Sequence, residues 1–258
     1  MTSLTRIRLL IAMIAAAALQ ACMSVPTDTG TTSSASATAV GARTFLFSWG
    51  MFADPVFDRD VVTFNRAYSK AFGLPENTEL FGYTSSRLTE PTPDRMEASI
   101  TQMAAGAVDG RDVVVVMLTS HGSPDVMAVK TSPAGEVFSI SAETLAAFLA
   151  PLSNDRQILI LQACFSGSLI DELRAPNRII MTAAAADRSS FGCNPDSDNT
   201  WFIKSMNRAM AQGGSWQQIF ARTRALVATD ETAQGVPASN PQSYVGANMR
   251  DIWTVNAL

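Results

Sequence analysis

Two runs, Val113-Val114-Val115-Val116-Met117-Leu118 and Ile158-Leu159-Ile160-Leu161, are apolar without alternation. A strand with one wet face alternates apolar and polar residues, so a run that does not must be covered on both faces, as at the centre of a parallel sheet. Thr44 to Trp49, Glu79 to Thr84, Asp112 to Thr119, Gln157 to Ala163 and Arg178 to Ala184 read as strands. Helical patterns separate them, which predicts an α/β fold. Thr92-Pro93 opens one helix with Met96, Ile100 and Met103 on a single face, and Ser141 caps another carrying Leu145, Phe148 and Leu149. Ser215-Trp216-Gln217-Gln218 fits a capping box for a helix to about Ala228. Asp125 to Ile140, with Pro133 and Gly135 at its middle, reads as an inserted hairpin.

The chain has 258 residues, 47% of them apolar, and a net charge of −4, which excludes a disordered or polycationic protein. Its basic residues form no run or aromatic-interleaved patch, so no nucleic-acid partner is expected. Three cysteines (Cys22, Cys164, Cys193) and one histidine (His121) exclude a zinc cage and a disulfide framework. At the amino end, Arg6 and Arg8 precede an apolar stretch from Leu9 to Leu19 and then Leu19-Gln20-Ala21-Cys22, the pattern of a secretory signal. The cleavage region resembles the bacterial lipobox. That resemblance implies a signal peptide over 1–21, a lipid-anchored Cys22 and a bacterial envelope location facing the periplasm. Residues 22–42, rich in Ser, Thr, Ala and Gly, read as a tether, and 43–258 as the folded domain.

Ligands of open α/β sheets bind beyond the carboxyl ends of the strands. Two reactive side chains fall there: His121 in Thr119-Ser120-His121-Gly122, and Cys164 in Gln162-Ala163-Cys164-Phe165-Ser166-Gly167. A right-handed crossover through the Ser141 helix would make these strands parallel neighbours, bringing both side chains to one edge. A nearby imidazole can take the proton of a thiol nucleophile. Ser166 to Arg174 reads as a short helix whose amino end lies beside the thiol. Gly122 allows close backbone approach, which makes its N–H and that of Cys164 candidate oxyanion donors.

At these residues the sequence resembles the legumain family of cysteine peptidases, within the wider caspase-like clan. A strand closed by Ser120-His121-Gly122 is followed by one closed by Ala163-Cys164-Phe165-Ser166-Gly167-Ser168, with Cys164 43 residues after His121. The resemblance implies a caspase-like fold with a mainly parallel six-stranded sheet and helices on both faces. It implies a cysteine endopeptidase acting on peptide or protein substrates after Asn, or Asp, without a metal or organic cofactor. Family members place an arginine nine residues before a tyrosine in the specificity pocket; Arg59 stands nine before Tyr68. A serine pair of the same pocket is matched by Ser189-Ser190.

The chain also departs from that pattern. Phe165 stands where the family usually has an acid, and the Asn-Gly after the first strand, whose asparagine orients the histidine, has no counterpart in Ser48-Trp49-Gly50-Met51. Asp196 and Asp198 are candidate pocket acids but read first as solvated loop acids, and Cys193 reads as a buried free thiol, with pairing to Cys164 in an oxidising compartment as the alternative. Two other readings stay open at this level: a transpeptidase of the same family, and a non-catalytic envelope binding lipoprotein.

Overall fold

The computed structural model describes residues 42–73, 76–82 and 91–255. The signal peptide, Cys22 and nearly all of the tether fall outside the described residues.

In chain order the elements are β1 (Thr44–Gly50), α1 (Pro55–Phe72), β2 (Glu76–Phe81), α2 (Pro93–Gly106), β3 (Val113–Thr119), β4 (Gly122–Ser123), β5 (Val126–Val129), β6 (Phe138–Ser141) and α3 (Ala142–Phe148). There follow β7 (Arg156–Gln162), α4 (Ile170–Leu173), β8 (Arg178–Thr182), α5 (Trp201–Met210), α6 (Trp216–Gln234), β9 (Gln242–Val245) and α7 (Arg250–Thr254). Six strands form one sheet in the order β2-β1-β3-β7-β8-β9, parallel except for β9. The two unalternating runs lie side by side at its centre as β3 and β7, each buried from its second residue onward.

Both faces are covered, as the runs require. Met96, Ile100 and Met103 of α2, Leu145 of α3, Leu149 just after it and Leu173 of α4 pack on one face against Val114, Val116, Leu159 and Leu161. On the other face Phe64 and Tyr68 of α1, Phe202 and Met206 of α5, and Trp216 and Ile219 of α6 meet Val115, Met117, Ile158 and Ile160. Helix α1 starts with Pro55 in its first turn and buries Phe57, Val61, Phe64, Tyr68 and Ala71, a spacing of three and four that keeps one face inward. Ser215 and Gln218 form the expected capping box, although α6 continues to Gln234. No helix among the described residues is long and apolar enough to cross a membrane.

Three expectations need correction. The second strand runs over Glu76–Phe81 rather than from Glu79 to Thr84, because its ladder with β1 begins at Phe45↔Glu76; Tyr83 and Thr84 lie outside the described residues. The fifth parallel strand ends at Thr182, whose hydroxyl donates to the Ala184 carbonyl (3.0 Å) and turns the chain. The segment after Cys164 is a 3-10 turn over Ser166–Leu169 and then the single-turn α4, not one continuous helix.

The hairpin is present. β4, β5 and β6 form a small antiparallel sheet, and the Pro133–Gly135 turn lies between β5 and β6.

Candidate active site

The site is built where β3 and β7 end. Thr119 pairs with Gln162, and the Ser120 N–H donates to the Gln162 carbonyl at 2.9 Å, so His121 and Cys164 emerge from adjacent strand ends. Gly122 explains itself at this point. A Cβ there would stand 2.5 Å from the Cys164 carbonyl oxygen and 2.9 Å from Ala163 Cβ, so any larger residue would push the two strand ends apart.

His121 is held by its backbone, by two aromatic rings and by a carboxylate. The Ala128 N–H donates to its carbonyl (3.0 Å), and the Ser120 hydroxyl donates to the Ala128 carbonyl (2.5 Å), which ties the strand end to the hairpin. Phe52 and Phe57 meet the imidazole edge-on, with ring centroids 4.7 and 5.0 Å away. Nε2 lies 3.1 Å from Asp54 Oδ2, with the two side chains 38% and 27% exposed. When a ring nitrogen donates to a carboxylate oxygen, the neutral imidazole has its lone pair on the other nitrogen, here Nδ1. Sequence reasoning missed Asp54. It supplies the orienting partner that the absent Asn-Gly left unassigned.

The nucleophile turn accounts for the Cys-x-Ser-Gly-Ser pattern residue by residue. Phe165 adopts a left-handed backbone (φ 58°), uncommon without glycine, and its N–H donates to the Arg188 carbonyl at 2.7 Å. Buried Ser166 accepts from the Ala184 N–H (3.2 Å). Gly167 is required because a Cβ would lie 2.7 Å from the Ala186 nitrogen. The Ser168 hydroxyl donates to the Phe165 carbonyl (2.7 Å) and accepts from the Asp125 N–H (2.7 Å), stapling the nucleophile turn to the histidine hairpin.

Ser190 joins the thiol directly. Its N–H donates to Cys164 Sγ at 3.3 Å, and the thiol lies 3.4 Å from its carbonyl oxygen. Ser190 is buried, whereas Ser189 is exposed beside it. Arg59 reaches the continuation of that loop. Its Nε donates to the Ser197 carbonyl (2.9 Å), and its Nη2 donates to the Ser197 (2.5 Å) and Pro195 carbonyls. The arginine therefore shapes the loop with one edge of its guanidinium. Asp196 and Asp198 are exposed, as expected. Cys193 is a free, half-buried thiol, and burial first, then neighbouring Cys164, pushes its pKa up.

Two buried polar groups below the site were also missed. Gln162 is 1% exposed, and neither its amide nitrogen nor its oxygen has a hydrogen-bond partner. Strand alternation puts it on the face of Ile158 and Ile160, the side covered by α1. Asp60 of α1 is fully buried and bonded to Thr119, Asn199 and Thr200; burial pushes its pKa up to about 6 although those bonds pull it down.

The sequence pattern of the Peptidase C13 family matches residues 100–251, more than half the chain and the whole segment carrying His121 and Cys164. The chain belongs to the Peptidase C13 family. Membership of this peptidase family implies a peptide or protein substrate. Arg59, Asp54 and Asp60 lie outside the segment matched to the C13 family. The fold is similar to that of a caspase-1 from Spodoptera frugiperda: TM-score 0.53 at 14% identity, covering 80% of this chain and 88% of that one. That likeness establishes the caspase-like fold. No curated protein matches the sequence.

Proposed function

We propose that the protein is a cysteine endopeptidase in which Cys164 is the nucleophile and His121 its base. His121 Nδ1 takes the thiol proton, and the thiolate attacks the scissile carbonyl carbon. The resulting oxyanion lies between the N–H groups of Gly122 and Cys164. Collapse to the thioester breaks the C–N bond as His121 protonates the leaving amine. Water then attacks the thioester, giving its proton to His121, and the thiol is restored. The observation that carries this reading is the contact of Gly122 with the Cys164 carbonyl, which brings histidine, nucleophile and both oxyanion donors to one edge.

On this reading Arg59, Ser189 and Ser190, the residues that match the family's pocket, line the site for the residue before the cut, and Gln162 is buried two residues before Cys164. An unpartnered amide offers both donor and acceptor, matching the acceptor and donor of an asparagine side chain. Aspartate offers acceptors only, and the Nε–Nη2 edge of Arg59 that would receive it is engaged by the loop. Asparagine is therefore the preferred residue and aspartate the second. A fluorogenic peptide panel varied at that position tests this reading: cleavage after Asn, then Asp, is expected, and preference for Lys, Arg or large apolar residues overturns it. The domain is held at a bacterial envelope membrane through a lipid on Cys22. Fatty-acid label absent from Cys22→Ser supports that anchor, and label retained removes it.

A further inference from the structure

Asp60 occupies a position where a carboxylate is expensive. It is 0% exposed in the second turn of α1, and among the described residues its hydrogen-bond partners are all neutral, so no cation offsets its burial there. Its partners come from two other segments. Thr119 Oγ1, at the end of β3, donates to Oδ2 (2.8 Å), and Thr200 Oγ1, at the N-cap of α5, donates to the same oxygen (2.8 Å). Oδ1 accepts from the Thr200 N–H (3.0 Å) and the Asn199 amide (3.0 Å). A hydroxyl or a single amide oxygen could not satisfy four donors arriving from both directions; a carboxylate has about four acceptor sites and can.

Those segments lead to the catalytic groups. Thr119 is two residues before His121. The loop ending at Thr200 begins at Arg188, whose carbonyl accepts from the Phe165 N–H, and includes Ser190 against the thiol. Arg59, adjacent to Asp60, holds the middle of the same loop through Pro195 and Ser197. Two consecutive residues of α1 therefore grip one wall of the pocket, while Asp60 also grips the strand that presents the histidine. A tie serving only helix packing would have no reason to choose these partners.

We propose that Asp60 is the positioning residue that fixes the 190–200 loop against the end of β3 and so sets the pocket wall beside Cys164. The catalytic part of this inference rests on the peptidase reading; the loop-positioning part does not. Without the carboxylate, the Thr119 and Thr200 hydroxyls and the Thr200 N–H lose their acceptor, Asn199 keeps only Thr63 Oγ1 (2.7 Å), and the end of the loop is released from β3. Asparagine keeps the arrangement: its oxygen accepts from Thr200 N–H and Asn199, and its amide donates to the two threonine hydroxyls, which can also accept. Other charged or titratable groups of the surroundings include Asp58, buried on the same helix, Arg59, directed at Ser197, the His121–Asp54 pair, Cys164, Cys193 and the exposed loop acids Asp196 and Asp198.

The test uses the full chain as Asp60→Ala and Asp60→Asn, and reads two quantities. The first is steady-state kinetics on an asparagine peptide. KM is expected to rise at least about tenfold in Asp60→Ala with kcat changed by less than about threefold, and to return to within about threefold of the parent in Asp60→Asn. The second needs no activity: the rate of Cys193 alkylation by iodoacetamide, followed peptide by peptide with mass spectrometry. It is expected to rise at least about tenfold in Asp60→Ala and not in Asp60→Asn. The double variant Asn199→Ala/Thr200→Val, which leaves α1 and β3 untouched, is expected to show the same rise and decides the matter where Asp60→Ala does not fold. Unchanged Cys193 reactivity in folded variants, or an asparagine variant behaving like alanine, overturns the proposal. An inert parent enzyme would count against the peptidase reading alone, since the alkylation rates still report the loop.

Discussion

A buried aspartate stands at each end of β3, Asp112 just before its first residue and Asp60 of α1 against its last, and the two are treated oppositely. Asp112, just before its first residue, accepts from Arg43 (2.7 and 3.0 Å), Arg111 (2.7 and 3.1 Å) and the backbone N–H groups of Arg43 and Val108. The Arg111 hydrogen bond, followed by those from Arg43 and Val108, overcomes burial and holds it well below the usual carboxylate range. Asp60, at the other end, meets only neutral donors, and burial prevails, up to about 6. The amino end of β3 is tied by charge pairs. At the carboxyl end Asp60 has neutral partners and the Gln162 amide is unpartnered, conditions that cost stability and suit a working site.

The largest effect that would sharpen this contrast belongs to the carboxyl end: Cys164→Ala or His121→Ala is expected to lower kcat by at least about 10³-fold with the melting temperature preserved, measured by peptide hydrolysis and calorimetry. Activity retained in either variant breaks the assignment of function to this end. Asp112→Ala is next, an expected loss of about 3 kcal/mol in denaturant unfolding with kcat/KM unchanged for the folded fraction. Acid acts on it in the same direction: a depressed pKa means that its stabilisation is present above about pH 3.8, the unfolded value, and lost as pH falls toward the folded one.

Asp60 has the opposite sign. Its folded pKa is raised, so its contribution is full below pH 3.8 and declines as pH rises through about 6, by about 3 kcal/mol at most. Asp60→Asn is expected to remove that decline; an identical stability–pH curve between pH 4 and 7 would mean that the carboxylate is not protonated preferentially in the fold. The smallest effect concerns His121. Asp54→Asn keeps an acceptor for Nε2–H and is expected to reduce kcat only about tenfold, against about 10²-fold for Asp54→Ala. Equal kcat in all three proteins would remove Asp54 from the site.

The centre of the sheet was legible because β3 and β7 are apolar on both faces, a pattern with few alternative explanations. His121, Gly122 and Cys164 were legible because the residues around them serve local geometry: Gly122 and Gly167 where no Cβ fits, Ser166 and Ser168 as fixed hydrogen-bond partners. β9 left no such signal. Gln-Ser-Tyr-Val has no apolar run, and only the ladder with β8 makes it a strand. Asp54 precedes a proline-led helix as many solvated acids do. Asp60 did leave a trace, since it lies three after Phe57 and four before Phe64, an acid on an otherwise buried helical stripe. Gln162 stood in a quoted motif, but only the structure reveals that its amide is buried and unpartnered.

The antiparallel β9 has a consequence for how the chain comes to be made. Every residue of β8 is buried, and β9 covers its outer edge, pairing Ile179 with Val245 and Thr182 with Gln242. The fit beyond it is tight: a Cβ on Gly246 would stand 2.3 Å from the carbonyl oxygens of Ala175 and Pro176. A growing chain that has reached the end of α6 already holds its five parallel strands, yet the β8 edge remains open, with unpaired N–H and C=O groups beside Ile179 and Met181. Such an edge is a template for another copy of the same strand. Premature termination between Gln234 and Gln242 would remove buried Met249 and the packing of Val245, Ile252 and Trp253, and would also leave that template exposed, so a truncated chain is expected to aggregate.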